Sequence, residues 1–120
     1  MYIGEWNNNV IEGYGEIYYI DDKIYKGFFK NNKKHGFGVF YWKNNDKVYL
    51  GFWKDGKQSN LGKYMTKHIC SWNEYNDGKK IRKFKDKNEA YLLLNNSKEI
   101  IKYDKLYSLE FNNVLNFFNE

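Results

Sequence analysis

The feature that most constrains this chain is a five-residue string written three times: Tyr2-Ile-Gly4-Glu-Trp6, Tyr25-Lys-Gly27-Phe-Phe29 and Tyr49-Leu-Gly51-Phe-Trp53. After a six-residue spacer, each copy is followed by a second signal: Gly13-Tyr-Gly15, Gly36-Phe-Gly38 and Asn60-Leu-Gly62. Both signals advance by 23 residues between the first two copies and by 24 between the next two, so they belong to one unit. A period in that range marks a repeat array, in which each supersecondary unit buries its apolar face only against its neighbours.

The alternation inside each copy points to a β-hairpin. Tyr, Gly and Trp or Phe at i, i+2 and i+4 share one face of a strand. The returning strand carries the Gly-x-Gly pair. A glycine offers no Cβ, so a ring can lie against bare backbone there. Gly4, Gly13, Gly15, Gly27, Gly36, Gly38, Gly51 and Gly62 are therefore expected to be notches that receive rings of adjoining hairpins, joined into an aromatic spine. The spacers 7–12, 30–35 and 54–59 are rich in Asn, Lys, Asp and Gly and read as hairpin tips. Asp21-Asp22 and Asn44-Asn45-Asp46 read as the opposite rim.

Ile3, Tyr14, Phe28, Phe37, Leu50, Phe52 and Leu61 alternate with the spine and so project from the other face. Both faces are apolar in the middle repeats, which predicts that one is covered and the other remains a groove. The candidate groove residues are Tyr2, Trp6, Tyr25, Phe29, Tyr49, Trp53 and, from a degenerate fourth copy, Trp72. Aligning Trp72 with Trp53 places His68 in the Tyr slot, Cys70 in the first Gly slot, and Lys79 and Ile81 in the paired Gly slots. Side chains then fill the notches, and 68–84 becomes a capping hairpin, since terminal repeats of arrays are atypical.

Beyond residue 78 the chain contains no Gly and no Pro. Asp86 and Glu89 ahead of 90–94 resemble a capping box. A second start, Asn96 with Glu99, opens an amphipathic segment reaching about Phe118. In it Ile100, Tyr103, Leu106, Tyr107, Phe111, Val114, Leu115, Phe117 and Phe118 share about half the helix circumference. Packing on this chain's own sheet is the expectation, and engagement of a second protein or a second copy is the alternative. The fold class is thus mainly β with C-terminal α: a single-layer antiparallel sheet over 1–84 and a helical cap over 85–120.

The net charge of +5 is local, because Lys79, Lys80, Arg82, Lys83, Lys85 and Lys87, less Asp86, account for all of it. Lysines on a terminal strand guard a sheet edge against pairing. The same cluster, Lys79, Lys80, Arg82, Lys83 and Lys85, offers an alternative contact with anionic phospholipid. Nucleic acid is disfavoured, since only Phe84 interleaves an aromatic with these charges. The single cysteine, Cys70, excludes an intramolecular disulfide. No apolar run is long enough to span a membrane and no secretory leader opens the chain. The expected location is the cytoplasm, peripheral at a membrane or the cytoskeleton if attached to either.

No catalytic, cofactor or metal constellation stands out. His35 reads as a solvent-facing tip residue, His68 as a partly packed substitute for Tyr, and Cys70 as a small buried thiol in a Gly slot. Glu5, Glu12 and Glu16 share one hairpin, where they balance nearby lysines. The Gly-x-Gly pairs lack the following helix that phosphate binding requires.

The strings YIGEW, YKGFF and YLGFW with their paired GYG, GFG and NLG resemble MORN repeats, named from membrane occupation and recognition nexus. The resemblance covers 1–66, and a degenerate copy extends it to about Phe84. It departs from the family pattern where Phe28 and Phe52 replace the acidic residue that Glu5 retains. The resemblance implies a curved, elongated antiparallel sheet without an enzymatic site of its own, used for scaffolding, partner docking and membrane contact. It also implies an aromatic groove that holds a partner's helix or extended segment. A homodimer through the open edge at Tyr2 to Trp6, or through the C-terminal helix, is a further expectation.

Overall fold

The computed structural model describes residues 1–94, 104–105, 108, 113–114 and 116–118. Among them eight strands form one antiparallel sheet in chain order. They are β1 (Tyr2–Asn7), β2 (Val10–Tyr18), β3 (Lys23–Lys30), β4 (Lys33–Trp42), β5 (Lys47–Lys54), β6 (Lys57–Met65), β7 (Cys70–Asn76) and β8 (Lys79–Phe84). A 3-10 turn, Lys43–Asn45, links β4 to β5, and a short helix, α1 (Lys87–Tyr91), follows the sheet.

The hairpins close through two-residue tips, shorter than the six-residue spacers suggested. Asn7 pairs with Val10, Lys30 with Lys33, Lys54 with Lys57 and Asn76 with Lys79. The central pairs Asn8-Asn9, Asn31-Asn32, Asp55-Gly56 and Asp77-Gly78 all have positive φ, the backbone of the primed turns that match strand twist. Asn and Asp tolerate that region because their short side chains bond locally. The remaining spacer residues belong to strands.

Each of the last three tips also ties to the hairpin before it. The second turn residue donates its N–H to Ile11 O from Asn32 (3.0 Å), to Lys34 O from Gly56 (2.9 Å) and to Gln58 O from Gly78 (3.0 Å). Asn32 Oδ1 additionally accepts from Ile11 N at 2.7 Å.

The register repeats as well. Gly4 faces Gly15, Gly27 faces Gly38 and Gly51 faces Gly62. Just beyond each pair the register shifts, so two extra residues loop out on the returning strand. Gly13, Gly36 and Asn60 sit there with φ of 80°, 90° and 62°. Gly13 and Gly36 thus serve a bulge's backbone and are not ring notches. Glu5 closes the first bulge by accepting from Tyr14 N at 2.5 Å. In the later copies Phe28 and Phe52 turn to packing, Phe28 edge-on to Tyr14 at 5.6 Å and Phe52 edge-on to Phe37 at 6.2 Å.

Side chains alternate between two separate cores. On one face Phe37, Val39, Tyr41, Val48, Leu50 and Leu61 are buried together with Phe84, Ala90, Leu94 and Val114, with Phe28, Phe52 and Trp72 partly buried against them. The expectation that the C-terminal part covers this chain's own sheet holds for the described residues. Val114 is buried there and Phe117 stands edge-on to Tyr41 at 5.3 Å. Helix α1 begins as its sequence predicts, with the Asp86 carboxylate accepting from Glu89 N at 2.9 Å. The continuous amphipathic helix from Asn96 to Phe118 lies mostly outside the described residues. The other face carries the aromatic core.

Candidate functional site

The aromatic face is built from the Tyr-x-Gly motif outward. In each good repeat the tyrosine ring leans along its own strand across the Gly–Gly pair, and its hydroxyl donates to the backbone carbonyl three residues on. The bonds are Tyr2 to Glu5 O (2.8 Å), Tyr25 to Phe28 O (2.9 Å) and Tyr49 to Phe52 O (3.0 Å). A Cβ on Gly38 would lie 2.5 Å from Tyr25 Cζ, and one on Gly62 would lie 2.5 Å from Tyr49 Cζ. The notch is therefore filled by the hairpin's own ring, whereas the sequence had suggested a ring from the next hairpin.

Neighbouring hairpins meet ring to ring. Trp6, Tyr2, Phe29, Tyr25, Trp53, Tyr49 and Tyr75 follow one another edge to face, at successive centroid separations of 5.4, 5.3, 5.1, 5.5, 5.2 and 5.3 Å. Edge-to-face contacts at these distances contribute about 0.5–1.5 kcal/mol each beyond area burial. The spine exists, but most of it is floor. Tyr25 and Tyr49 are fully buried, and Phe29, Trp53 and Tyr75 nearly so. Burial raises the Tyr25 and Tyr49 phenols well above their usual range. Of the proposed groove residues only Tyr2 and Trp6 keep accessible surface on this face.

Trp72 belongs to the opposite face. Its ring stands edge-on to Tyr91 at 5.9 Å and beneath Lys63 Nζ at 5.0 Å. The fourth copy is offset by three residues from the alignment on tryptophan. Gly62 pairs with Asn73 and Tyr64 with Ser71, so Ser71, Asn73 and Tyr75 occupy the Tyr, Gly and Trp slots. On β8 the paired-Gly slot falls to Lys83, and neither Lys79 nor Ile81 faces Asn73. Released from the Gly slot, Cys70 is exposed at a strand end. His68 is exposed in the β6–β7 connection and not packed in a Tyr slot. His35 lies within β4, half-buried, its Nδ1 without a hydrogen bond and 4.0 Å from Asp55.

What the face presents to its surroundings is a second column that the motif did not reveal. Ile17, Phe40, Trp42 and Tyr64 stand two or four residues beyond the second glycine of each pair. Phe40 and Trp42 are 4.4 Å apart, Trp42 and Tyr64 5.7 Å, and Tyr19 stacks on Phe40 at 5.9 Å. Trp42 and Tyr64 are half-buried and Tyr19 is exposed. The signal was present as an apolar residue in each Gly-x-Ile, Gly-x-Phe and Gly-x-Tyr triplet.

Lys34 sits among these rings. Its Nζ lies over Trp53 (5.2 Å), Phe40 (5.6 Å), Tyr25 (5.7 Å) and Tyr19 (5.9 Å), and it donates to the Tyr19 hydroxyl at 3.5 Å. Burial lowers the Lys34 pKa from its usual value. At the far end of the spine, where Ser71 stands in place of a ring, a hollow of about 310 Å³ opens between Tyr64, Ser71, Asn73, Tyr75 and Lys80.

The basic cluster occupies the edge strand β8 and divides between faces. Lys80 and Lys83 pair with Tyr75 and Asn73 on the aromatic side, while Lys79 and Arg82 lie on the other. Arg82 Nε donates to Glu74 Oε1 at 2.7 Å. Lys85 is exposed beyond the strand end.

An open sheet of hairpins, each closed by a two-residue tip and a tyrosine laid over paired glycines, defines a β-repeat array. The family model for the MORN repeat matches residues 2–23, 25–47 and 49–66, more than half of the chain, and the protein belongs to the MORN-repeat family. Comparison with curated proteins returns no match. The family is a non-enzymatic repeat family whose repeats are protein- and membrane-interaction modules. Among the described residues, no helix is long and apolar enough to cross a membrane.

Proposed function

We propose that this chain is a non-enzymatic adaptor that docks a helix or extended segment of a protein partner on its aromatic face. One observation carries the reading. The opposite face is covered over its middle and later repeats by this chain's own α1, Val114 and Phe117, with Ile3 and Tyr14 of the first hairpin left exposed, while the aromatic face keeps accessible rings at Trp6, Tyr2, Tyr19, Trp42 and Tyr64. Accessible aromatics on a sheet suit partner binding, because such side chains add contact area at low entropic cost.

The membrane reading, through Lys79, Lys80, Arg82, Lys83 and Lys85, has less support. A flat lipid surface needs its cations on one side, and here they divide between faces with Arg82 already paired. The test is affinity capture from the source cells with the wild-type chain and with a Trp42→Ala, Tyr64→Ala variant. Both rings are rim rather than floor, so circular dichroism should be unchanged. Loss of a defined bound protein supports docking on this face. Equal capture by both chains refutes it, liposome co-sedimentation checks the membrane reading, and light scattering checks for a second copy as the occupant.

A further inference from the structure

The strand positions that share the aromatic face carry charges of one sign. The register places Lys23, Lys34, Lys47, Lys80 and Lys83 there and neither Asp nor Glu. Carboxylates of the strands fall on the other side: Glu5, Glu12, Glu16 and Glu74 alternate with the ring-bearing positions. Lys23 is neutralised by Asp21 at 2.8 Å. Among the described residues no carboxylate pairs with Lys34, Lys47, Lys80 or Lys83.

Lys34 is the informative member. It takes the position opposite Phe29 that Ile11 takes opposite Trp6 and Gln58 opposite Trp53, so the fold accepts neutral side chains there. A half-buried ammonium over four rings loses hydration and regains part of it as cation–π attraction. Burial lowers its pKa. A cation kept at a cost to folding, in a position where its equivalents are apolar or amide, fits a binding role better than a structural one.

We propose, resting on the docking function above, that the segment received by this face is acidic, with one carboxylate on Lys34 and a second on Lys80 and apolar side chains between them. Lys34 on β4 and Lys80 on β8 are four strands apart, so about 19 Å separates them at about 4.8 Å per strand. That spacing corresponds to about 13 residues of a helix or about 6 of an extended segment. The second carboxylate would enter beside the hollow left by Ser71, where the Tyr75 hydroxyl and the Lys80 ammonium supply donors.

The test uses the full chain as bait for a displayed library of random 20-residue peptides, with binding of the selected peptides then measured in solution. Expected winners carry Asp or Glu at one of those spacings with aromatic or aliphatic residues between. They should weaken about 10- to 100-fold on Lys34→Met, which keeps an unbranched chain under the rings, and again on Lys80→Gln. Rising salt should weaken them too. Three results overturn the proposal and leave docking on this face intact. They are neutral or basic winners that need Trp42 and Tyr64, acidic winners indifferent to Lys34→Met, and acidic winners indifferent to Lys80→Gln. Winners indifferent to Trp42→Ala with Tyr64→Ala, or no winners, overturn both. Phosphatidylserine vesicles that bind the wild type but not the Lys34→Met, Lys80→Gln chain, where no peptide binds, would put a lipid surface in the peptide's place.

Discussion

Replacing Gly38 by alanine tests the packing device on which the whole array depends. The new methyl would stand 2.5 Å from Tyr25 Cζ with Oη and Cε2 closer still, and the glycine is paired to Gly27 behind it. Neither backbone can retreat, so the ring must leave. The consequences are overpacking at about 1–3 kcal/mol, loss of the Tyr25 to Phe28 O bond at about 1 kcal/mol, and disturbed edge contacts with Phe29 and Trp53 at about 0.5–1.5 kcal/mol each. The expected loss is about 3–7 kcal/mol. For a chain of 120 residues the unfolding entropy is about 250 cal/mol/K, so the melting temperature should fall by roughly 12–28 °C. Thermal and urea unfolding followed by circular dichroism measure both. Gly36→Ala is the internal control: its Cβ meets only Phe28 Cβ at 3.6 Å, and the cost is confined to a φ of +90°, about 1–2 kcal/mol. In a Tyr25→Leu background the Gly38→Ala penalty should shrink by at least about 1 kcal/mol, because the clashing ring is gone. Strict additivity, or a Gly38→Ala chain as stable as Gly36→Ala, would refute the ring-over-glycine account.

Tyr25 and Tyr49 should remain protonated through the range in which exposed tyrosines ionise, because burial raises both. The unfolded chain releases those protons near pH 10, so their contribution is complete below about pH 10 and declines as the pH rises past it. Tyrosinate absorbance should accordingly show two phenols that appear only with unfolding. Lys34→Met should be at least as stable as the wild type, since burial disfavours the ammonium and methionine keeps an apolar chain under the rings. A loss above about 1 kcal/mol in urea unfolding would mean that the rings need the cation. Asn60→Gly should stabilise by about 0.5 kcal/mol, because Asn60 holds a φ of 62° where the first two copies have glycine. A lower urea midpoint would show that the Asn60 side chain matters instead.

The repeat unit was legible because its chemistry is local: Tyr at i, Gly at i+2 and an aromatic at i+4 state a strand face and a ring contact at once. The offset of the fourth copy was harder, because tryptophan is the most conspicuous residue and Trp72 drew the alignment. The better ruler was the turn. Asp55-Gly56 and Asp77-Gly78 are 22 residues apart, the same step that carries Gly51 to Asn73. Turn chemistry fixes register where side-chain identity has drifted. Nor could alternation alone tell floor from rim. Tyr25 and Trp42 both point to the aromatic side, yet Tyr25, ringed by Phe29, Phe40 and Trp53, is fully buried while Trp42 is half-buried. Lys34 was invisible for a related reason. Read along the chain it is one of two adjacent lysines near a tip, and four rings from three different strands and a connecting loop are needed to single it out.

The way the array ends bears on what it can bind. In the fourth hairpin Ser71 supplies no ring, and Asn73 is buried in the Gly slot. Its amide donates to the Tyr75 hydroxyl at 3.3 Å and to Ser71 O at 3.4 Å, while Ser71 Oγ donates to Asn73 Oδ1 at 2.9 Å. A polar network thus replaces the phenol that closes the earlier hairpins, and Lys83 stands where the second glycine would be. A further hairpin of the same kind would find no ring to lean on and no bare backbone to approach. What remains is a hollow edged by the Tyr75 hydroxyl and Lys80 at one end of the face, and the ring-bound Lys34 ammonium toward its middle. An array that stopped growing merely by losing residues would leave an apolar edge there. This one stops by exchanging apolar contacts for an internally satisfied polar network flanked by Lys80 and Lys83, and the proposed acidic segment would pair those ammonium groups where a fifth repeat could not.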